Sequence, residues 1–402
     1  MTHLGNLLSG LALTVAIGLG LSSLPVVAGK NSAKTSAAAK AAAAAPAVLK
    51  RGVNLSHWQQ YWGRQPVVAA DMATIKKAGF DHVRLPFDPQ KMGWNPDSPT
   101  PTIYWAALDQ AVSIAQQAGL AIILDFHPEM ALSQRIETEA AVHAAYVDFW
   151  QQMATHFAAS PVSVVVFELF NEPSYWDPTG PARLAALEKQ ALDRIRQATP
   201  SRLVLIAPSR GGFLAGLLLI TPVKDANVRY VFHYYDPKLF TYLHAPWEPF
   251  LSGPHGMIAN LVYPAANALS QVQLLPNADP AIAMAAVNQY VAENWGATRI
   301  AQDIAQAQAW ATQNGARLMC TEFGTLRVGP DVVSRQNWLK DTRSVLEGMG
   351  IGWSIWDYAD MFGIAVSTNG MVTPASDPAI VPRDPLNPQR VFDRNLLRAL
   401  GL

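Results

Sequence analysis

Val162-Ser163-Val164-Val165-Val166-Phe167-Glu168-Leu169-Phe170-Asn171-Glu172-Pro173 is the stretch from which the fold is read. A β-branched apolar run bounded by a turn signal reads as a buried strand, here Val162–Phe170, and it ends in a polar pair, Asn171-Glu172. The same form recurs on both sides. Strands are predicted near Arg51–Leu55, His82–Pro86 and Ala121–Phe126, then near Leu203–Ala207, Val228–Tyr234, Arg317–Phe323 and Gly352–Trp356. Between them lie stretches with helical spacing of apolar residues: Val67–Ala78, Tyr104–Ala118, Ala140–Ala158, Ala182–Ala198, Arg299–Asn314, Val332–Met349 and Asn387–Leu400. The first two run into Gly79 and Gly119, glycines placed to cap a helix C-terminus. Gly212–Ile220 is short for its slot. Alternating short strands and longer helices specify βα units and a parallel sheet, and eight strands suffice to close a barrel. The expected fold is therefore α/β, a (β/α)8 TIM barrel forming a single catalytic domain over residues 49–402.

One connection breaks the rhythm. Asp236 to about Ala297 exceeds an ordinary βα loop and carries Tyr242, Trp247, Tyr263 and Trp295. We read this extended loop after strand six as a cleft insertion containing a helix near Ala281–Val291, because long loops in compact domains usually build lids or binding walls.

The N-terminus precedes the fold. From Leu7 to Ala28 no residue is charged, which marks a signal peptide cleaved after Ala28 or an uncleaved membrane anchor. An Ala-rich spacer covers residues 29–48. Either leader implies export, to the periplasm or beyond, with membrane contact only through an uncleaved leader.

Composition narrows the partners. The 402 residues are half apolar with a formal net charge of +0, so no basic surplus exists to neutralise phosphates and nucleic acid is not an expected partner. Twelve Trp and eleven Tyr supply flat rings that suit sugar faces, although about half of the Trp residues are expected in the core. The single cysteine, Cys320, precludes an intramolecular disulfide, and its apolar surroundings predict an inert buried thiol. A monomer is expected.

Chemistry concentrates where strands end. Arg84 ends strand two, Asp125 and His127 end strand three, and Asn171-Glu172 ends strand four; His233 and Tyr235 end strand six, Glu322 strand seven and Trp356 strand eight. In a parallel barrel all these ends share one face, where barrel enzymes keep their active sites. One polar strand end is ordinary structure, but six together form a site. Strands four and seven lie on facing sides, so Glu172 and Glu322 project across the mouth. Glycosidic cleavage needs such a pair: a carboxylic acid to protonate the leaving oxygen and a carboxylate to meet the anomeric carbon. Arg84 and Tyr235 are candidates to contact Glu322, and Asn171 to hydrogen-bond a sugar hydroxyl. The acid must stay protonated near neutral pH, which burial favours.

The ordered set Val83-Arg84-Leu85-Pro86, Asp125-Phe126-His127, Phe170-Asn171-Glu172-Pro173, His233-Tyr234-Tyr235, Thr321-Glu322-Phe323-Gly324 and Trp353-Ser354-Ile355-Trp356 resembles glycoside hydrolase family 5, the cellulase family. The resemblance spans about Leu49 to Leu402. It implies Glu172 as acid/base, Glu322 as nucleophile, and Arg84, His127, Asn171, His233 and Tyr235 as supporting residues. Trp356 matches the aromatic platform at the cleavage point, with Trp353 the alternative platform. His57, in Asn54-Leu55-Ser56-His57-Trp58, is a further cleft candidate for which a structural role competes. The continuation to Ala297 departs from the family pattern and leaves the substrate class open.

The implied activity is retaining cleavage of β-1,4-glucan, an endoglucanase or cellulase, with β-mannan, xyloglucan and β-1,3-glucan as alternatives reached by loop variation. This chemistry requires no cofactor. Two other classes compete: a metal-dependent barrel hydrolase using Asp125, His127, His233 and Glu322 as ligands, and a non-catalytic glycan-binding protein.

Overall fold

The computed structural model describes residues 47–56, 58–59, 67–98, 103–247, 249–367 and 390–402. The leader, nearly all of the spacer and His57 lie outside the described residues. Eight strands, β1 (Arg51–Asn54), β2 (His82–Phe87), β3 (Ala121–Phe126), β4 (Val165–Glu168), β5 (Val204–Ile206), β6 (Val228–Tyr234), β7 (Leu318–Phe323) and β8 (Gly352–Ile355), close into a parallel barrel. β8 pairs with β1, Arg51 opposite Trp353, which removes both sheet edges.

Side-chain alternation sorts each strand between two cores. Outward residues such as Ile122, Leu124, Phe126, Val165 and Phe167 join the large core beneath the helices. Inward residues toward the N-terminal end, Ile123, Val166, Leu205, Val231 and Met319, form a separate apolar plug inside the barrel. Above the plug the lumen turns polar. At the N-terminal start of β2, in register with Ala121, His82 hydrogen-bonds Ser354 Oγ through Nε2 at 2.9 Å, and Gly52 makes room for its ring, since a Cβ at Gly52 would stand 2.0 Å from Nε2.

The helices follow from apolar periodicity. Ala140–His156 buries Tyr146, Phe149, Trp150 and Met153, which share one face at i, i+3, i+4 and i+7. Each such large side chain contributes about 1.5–3 kcal/mol when fully buried. Gly79 (φ 103°) and Gly119 (φ 71°) do follow their helices in the left-handed region. The last helix is shorter than expected. Arg390–Phe392 is a strand, antiparallel to Ala365–Ser367, and Asp393 Oδ1 accepts from the amides of Asn395 and Leu396, so only Arg394–Ala399 is helical.

The connection after β6 is a built structure. It holds the short helix Lys238–Thr241, a two-stranded antiparallel sheet (Ile258–Asn260 with Gln273–Leu274) and the helix Pro280–Ala292, capped by Asp279. Its first turn is tied back by Thr241, whose hydroxyl donates to Tyr235 O and whose carbonyl accepts from Leu326 N at 2.9 Å. Among the described residues no helix is long and apolar enough to cross a membrane.

Candidate active site

The barrel mouth is organised around Arg84, a fully buried guanidinium on β2. Its Nη1 donates to Glu322 Oε1 at 2.7 Å and to Asn54 Oδ1 at 3.0 Å. Nε and Nη2 form a two-pronged contact with Glu168 at 2.8 and 3.0 Å, and Nη2 also reaches Asn171 Oδ1 at 2.9 Å and Asp125 at 3.0 Å. One cation among three buried carboxyls cannot keep them all ionised. Burial pushes Asp125 up to about 7, against the lowering pull of Arg84, and raises Glu168 as well.

Glu322 reaches the lumen through a bulge in β7. Pairing with β6 shifts between Phe232 and His233, so that Phe232 faces Cys320 while His233 faces Glu322. Strict alternation would send Glu322 outward; the extra residue lets both Thr321 and Glu322 face the site. Cys320 stays outside the lumen, fully buried, its Sγ donating to Glu322 O at 3.2 Å across the bulge, and burial raises its thiol far above the ordinary range. Tyr235 OH donates to Glu322 Oε2 at 2.8 Å. Each carboxylate oxygen therefore has its own donor.

Glu172 lies just past β4 at φ 44°, a left-handed conformation that costs energy and aims the side chain into the mouth. His233 Nδ1 stands 2.8 Å from Glu172 Oε1 and 3.5 Å from Glu322 Oε2. Oxygens of the two carboxyls and this nitrogen all lie within 4.8 Å of one another. Desolvation raises the Glu172 carboxyl, opposed by His127, Arg84 and Lys238. The same burial holds both His127 and His233 down to about 4, so they are neutral at physiological pH.

His127 is oriented from both sides. Nδ1 lies 2.8 Å from Asp125 and Nε2 lies 3.1 Å from Asn171 Nδ2, a pattern that requires the proton on Nδ1. Trp356 stacks nearly parallel to this imidazole, at 18° with centroids 6.1 Å apart, and its indole is partly exposed. A Cβ at Gly324 would strike Trp356 O at 2.2 Å, which explains the glycine there.

Eight residues named from sequence thus converge: Arg84, His127, Asn171, Glu172, His233, Tyr235, Glu322 and Trp356. Trp353 does not join them. It is fully buried on the outer side of β8, edge-on to Phe80 and Phe323, because it stands three positions before Trp356, an odd offset that puts the two on opposite faces of a period-two strand. His57 lies outside the described residues. The proposed metal ligands do not form one set. Asp125 and His127 hold each other, His127 Nε2 accepts from Asn171, and the remaining cluster, Glu172, His233 and Glu322, includes a carboxylate already paired with Arg84.

Sequence reasoning missed Glu168 and Asn54. Glu168 is a lone ionisable residue two positions beyond inward-facing Val166, so its phase put it in the lumen beside Arg84. Asn54 donates to Thr321 O at 3.0 Å and Ile355 O at 3.2 Å, clamping β1 to β7 and β8. The insertion, read from sequence as a cleft element, packs beside the site. Tyr242, Trp247 and Phe250 pack with Phe362 around Tyr235, forming an aromatic wall beside Glu322.

Comparison with known proteins agrees with this geometry. A family model described as cellulase (glycosyl hydrolase family 5) matches residues 42–361. The chain is 24% identical to endoglucanase 3 of Fibrobacter succinogenes over 355 residues, 83% of this chain and 52% of that one, so it spans about half the length of that relative. It is 25% identical to endoglucanase C of Acetivibrio thermocellus over 332 residues, 78% of this chain and 92% of that one. A hyperthermophilic endo-β-1,4-glucanase solved with substrate shares the fold at a TM-score of 0.68, with 22% identity over 88% of this chain and 97% of that one.

Proposed function

The chain belongs to the cellulase family, glycosyl hydrolase family 5, and from that premise we propose that it is an exported endo-β-1,4-glucanase acting with retention. Glu172 is the acid/base and Glu322 the nucleophile. The approach of their carboxyl oxygens to within 4.8 Å carries this reading. Retaining pairs stand roughly 5–5.5 Å apart, whereas inverting pairs need about 6.5–9.5 Å to admit a water.

In the first step a Glu322 oxygen attacks the anomeric carbon as the glycosidic bond breaks, and the Glu172 proton goes to the departing oxygen. In the second, Glu172 removes a proton from water, whose oxygen attacks the same carbon and releases Glu322. Arg84 and Tyr235 fix the direction of the nucleophile. The raised Glu172 carboxyl stays protonated for the first step. Neutral His233 can donate Nδ1–H to Glu172 Oε1, leaving the other oxygen for the glycosidic bond. Asn171 keeps one amide N–H beyond its His127 bond for a sugar hydroxyl, and Trp356 supplies the platform.

The test uses the chain from Gly29 onward on a panel of β-1,4-glucan, β-mannan, xyloglucan and β-1,3-glucan, with viscosity and NMR readouts. The expected result is rapid viscosity loss on β-1,4-glucan with the β-anomer released first. Initial release of the α-anomer overturns the mechanism, and cleavage of another polymer alone overturns the substrate.

A further inference from the structure

We propose that Trp176 is a sugar-stacking platform on the leaving-group side of the cleft, binding a glucosyl unit beyond the scissile bond; this rests on the retaining reading above. Trp176 is 62% exposed, although Trp94, Trp150, Trp338 and Trp353 are fully buried. Its indole offers a flat apolar face, of the kind a sugar ring stacks on, four residues beyond Glu172.

The loop after β5 ties Trp176 to the acid/base. Arg210 N donates to Ser174 O at 2.7 Å and Gly211 N to Pro173 O at 3.0 Å, so the loop after β5 is pinned to the turn that follows Glu172. Arg210, Gly211 and Gly212 all hold positive φ, at 61°, 73° and 76°. The two glycines form a strip without side chains. A Cβ at Gly212 would stand 3.4 Å from Glu172 Cγ and from His233 Nδ1, and one at Gly211 would stand 3.9 Å from Trp176 Cζ2. Glu172 and Trp176 therefore flank one two-glycine turn, with the Phe213 ring edge 3.1 Å from the Cβ position of Gly211.

The direction follows from the chemistry. Glu322 bonds the sugar that is retained, while Glu172 gives its proton to the oxygen that departs with the other half. A surface reached through the Glu172 loop, on the strip beside Glu172, faces that departing half. Arg210 Nε, buried and without a hydrogen-bond partner among the described residues, belongs to the same segment and offers a donor for a sugar hydroxyl.

The experiment compares kcat/KM on cellotetraose with kcat/KM on an aryl β-cellobioside, whose leaving group carries no sugar. In Trp176→Ala the ratio of the two falls roughly tenfold, the size of one lost aromatic contact, and Trp176→Phe recovers most of it. The glycosyl-enzyme also partitions less to added cellobiose and more to water. A ratio that stays within about twofold of the starting protein overturns the proposal, as does a fall in both values together. A starting protein inactive on both substrates instead removes the retaining reading, and this inference with it.

Discussion

Val166 and Glu168 point into the same barrel from the same strand, two residues apart, yet one belongs to a dry plug and the other to a network of charges. Ile123 and Asp125 repeat the contrast on β3, and Val231 and His233 repeat it on β6. The plug toward the N-terminal end is Ala, Ile, Val, Leu and Met, with His82 hydrogen-bonded to Ser354 beside it. The C-terminal half is Arg84 with buried carboxyls and imidazoles. One period of a strand thus separates a region built for stability from one that costs stability. The plug gains transfer free energy with no polar group to satisfy. The mouth must keep a guanidinium and several carboxyls out of water, and repays that only through mutual pairing.

The largest effect expected from breaking this contrast lies at the mouth. Glu322→Ala should lower kcat on glucan by about 10⁴-fold or more, with thermal stability little reduced. Glu172→Gln should lower glucan turnover by about 10²–10⁴-fold and flatten the alkaline limb of kcat/KM. The sign follows from the raised carboxyl: the acid form persists to higher pH than an ordinary Glu, and activity falls as pH rises through that value. Stopped assays across pH check both variants.

The tryptophan pair at the C-terminal end of β8 sharpens the comparison at intermediate size. Trp353→Ala should cost about 3–5 kcal/mol of stability by denaturant melting, as an emptied core site does, with KM retained in the folded fraction. Trp356→Ala should raise KM with a far smaller stability loss. At the plug, Ile123→Val should cost only about 0.5–1.5 kcal/mol and leave kcat/KM within error.

The smallest effect concerns Asp125. Its carboxyl is raised to about 7 in the fold, above the ordinary value near 3.9. Its contribution to stability is therefore fully present below that ordinary value and is lost as pH rises toward 7. Asp125→Asn should show a flatter decline of Tm between about pH 4 and 7 than the unaltered chain. An equally steep decline removes Asp125 as the proton holder.

Much of this was legible in the residues. Six of the eight strands end an apolar run at a polar or aromatic residue, and the apolar run of β3 matches its observed bounds, Ala121–Phe126. Glu172, Glu322 and Arg84 were visible because parallel strands gather their C-terminal ends on one face. Other features depended on phase. Trp353 and Trp356 look equivalent in Trp-Ser-Ile-Trp, and only the inward phase of Ser354 separates them. The bulge at Thr321-Glu322 leaves no mark in a chain read alone, yet it turns the nucleophile inward. The insertion after β6 was visible by length, but its aromatic packing on Tyr235 depends on contacts with Phe362, more than a hundred residues away.

The central claim, that Glu322 attacks while Glu172 protonates, is tested most directly by trapping the intermediate. A 2-deoxy-2-fluoro cellobioside with a dinitrophenolate leaving group forms the glycosyl-enzyme quickly and releases it slowly. Peptide mass spectrometry should find one fluorocellobiosyl unit esterified to Glu322, and none on the Glu322→Ala chain. Attachment to any other carboxylate, or steady turnover with no covalent adduct, would contradict the account.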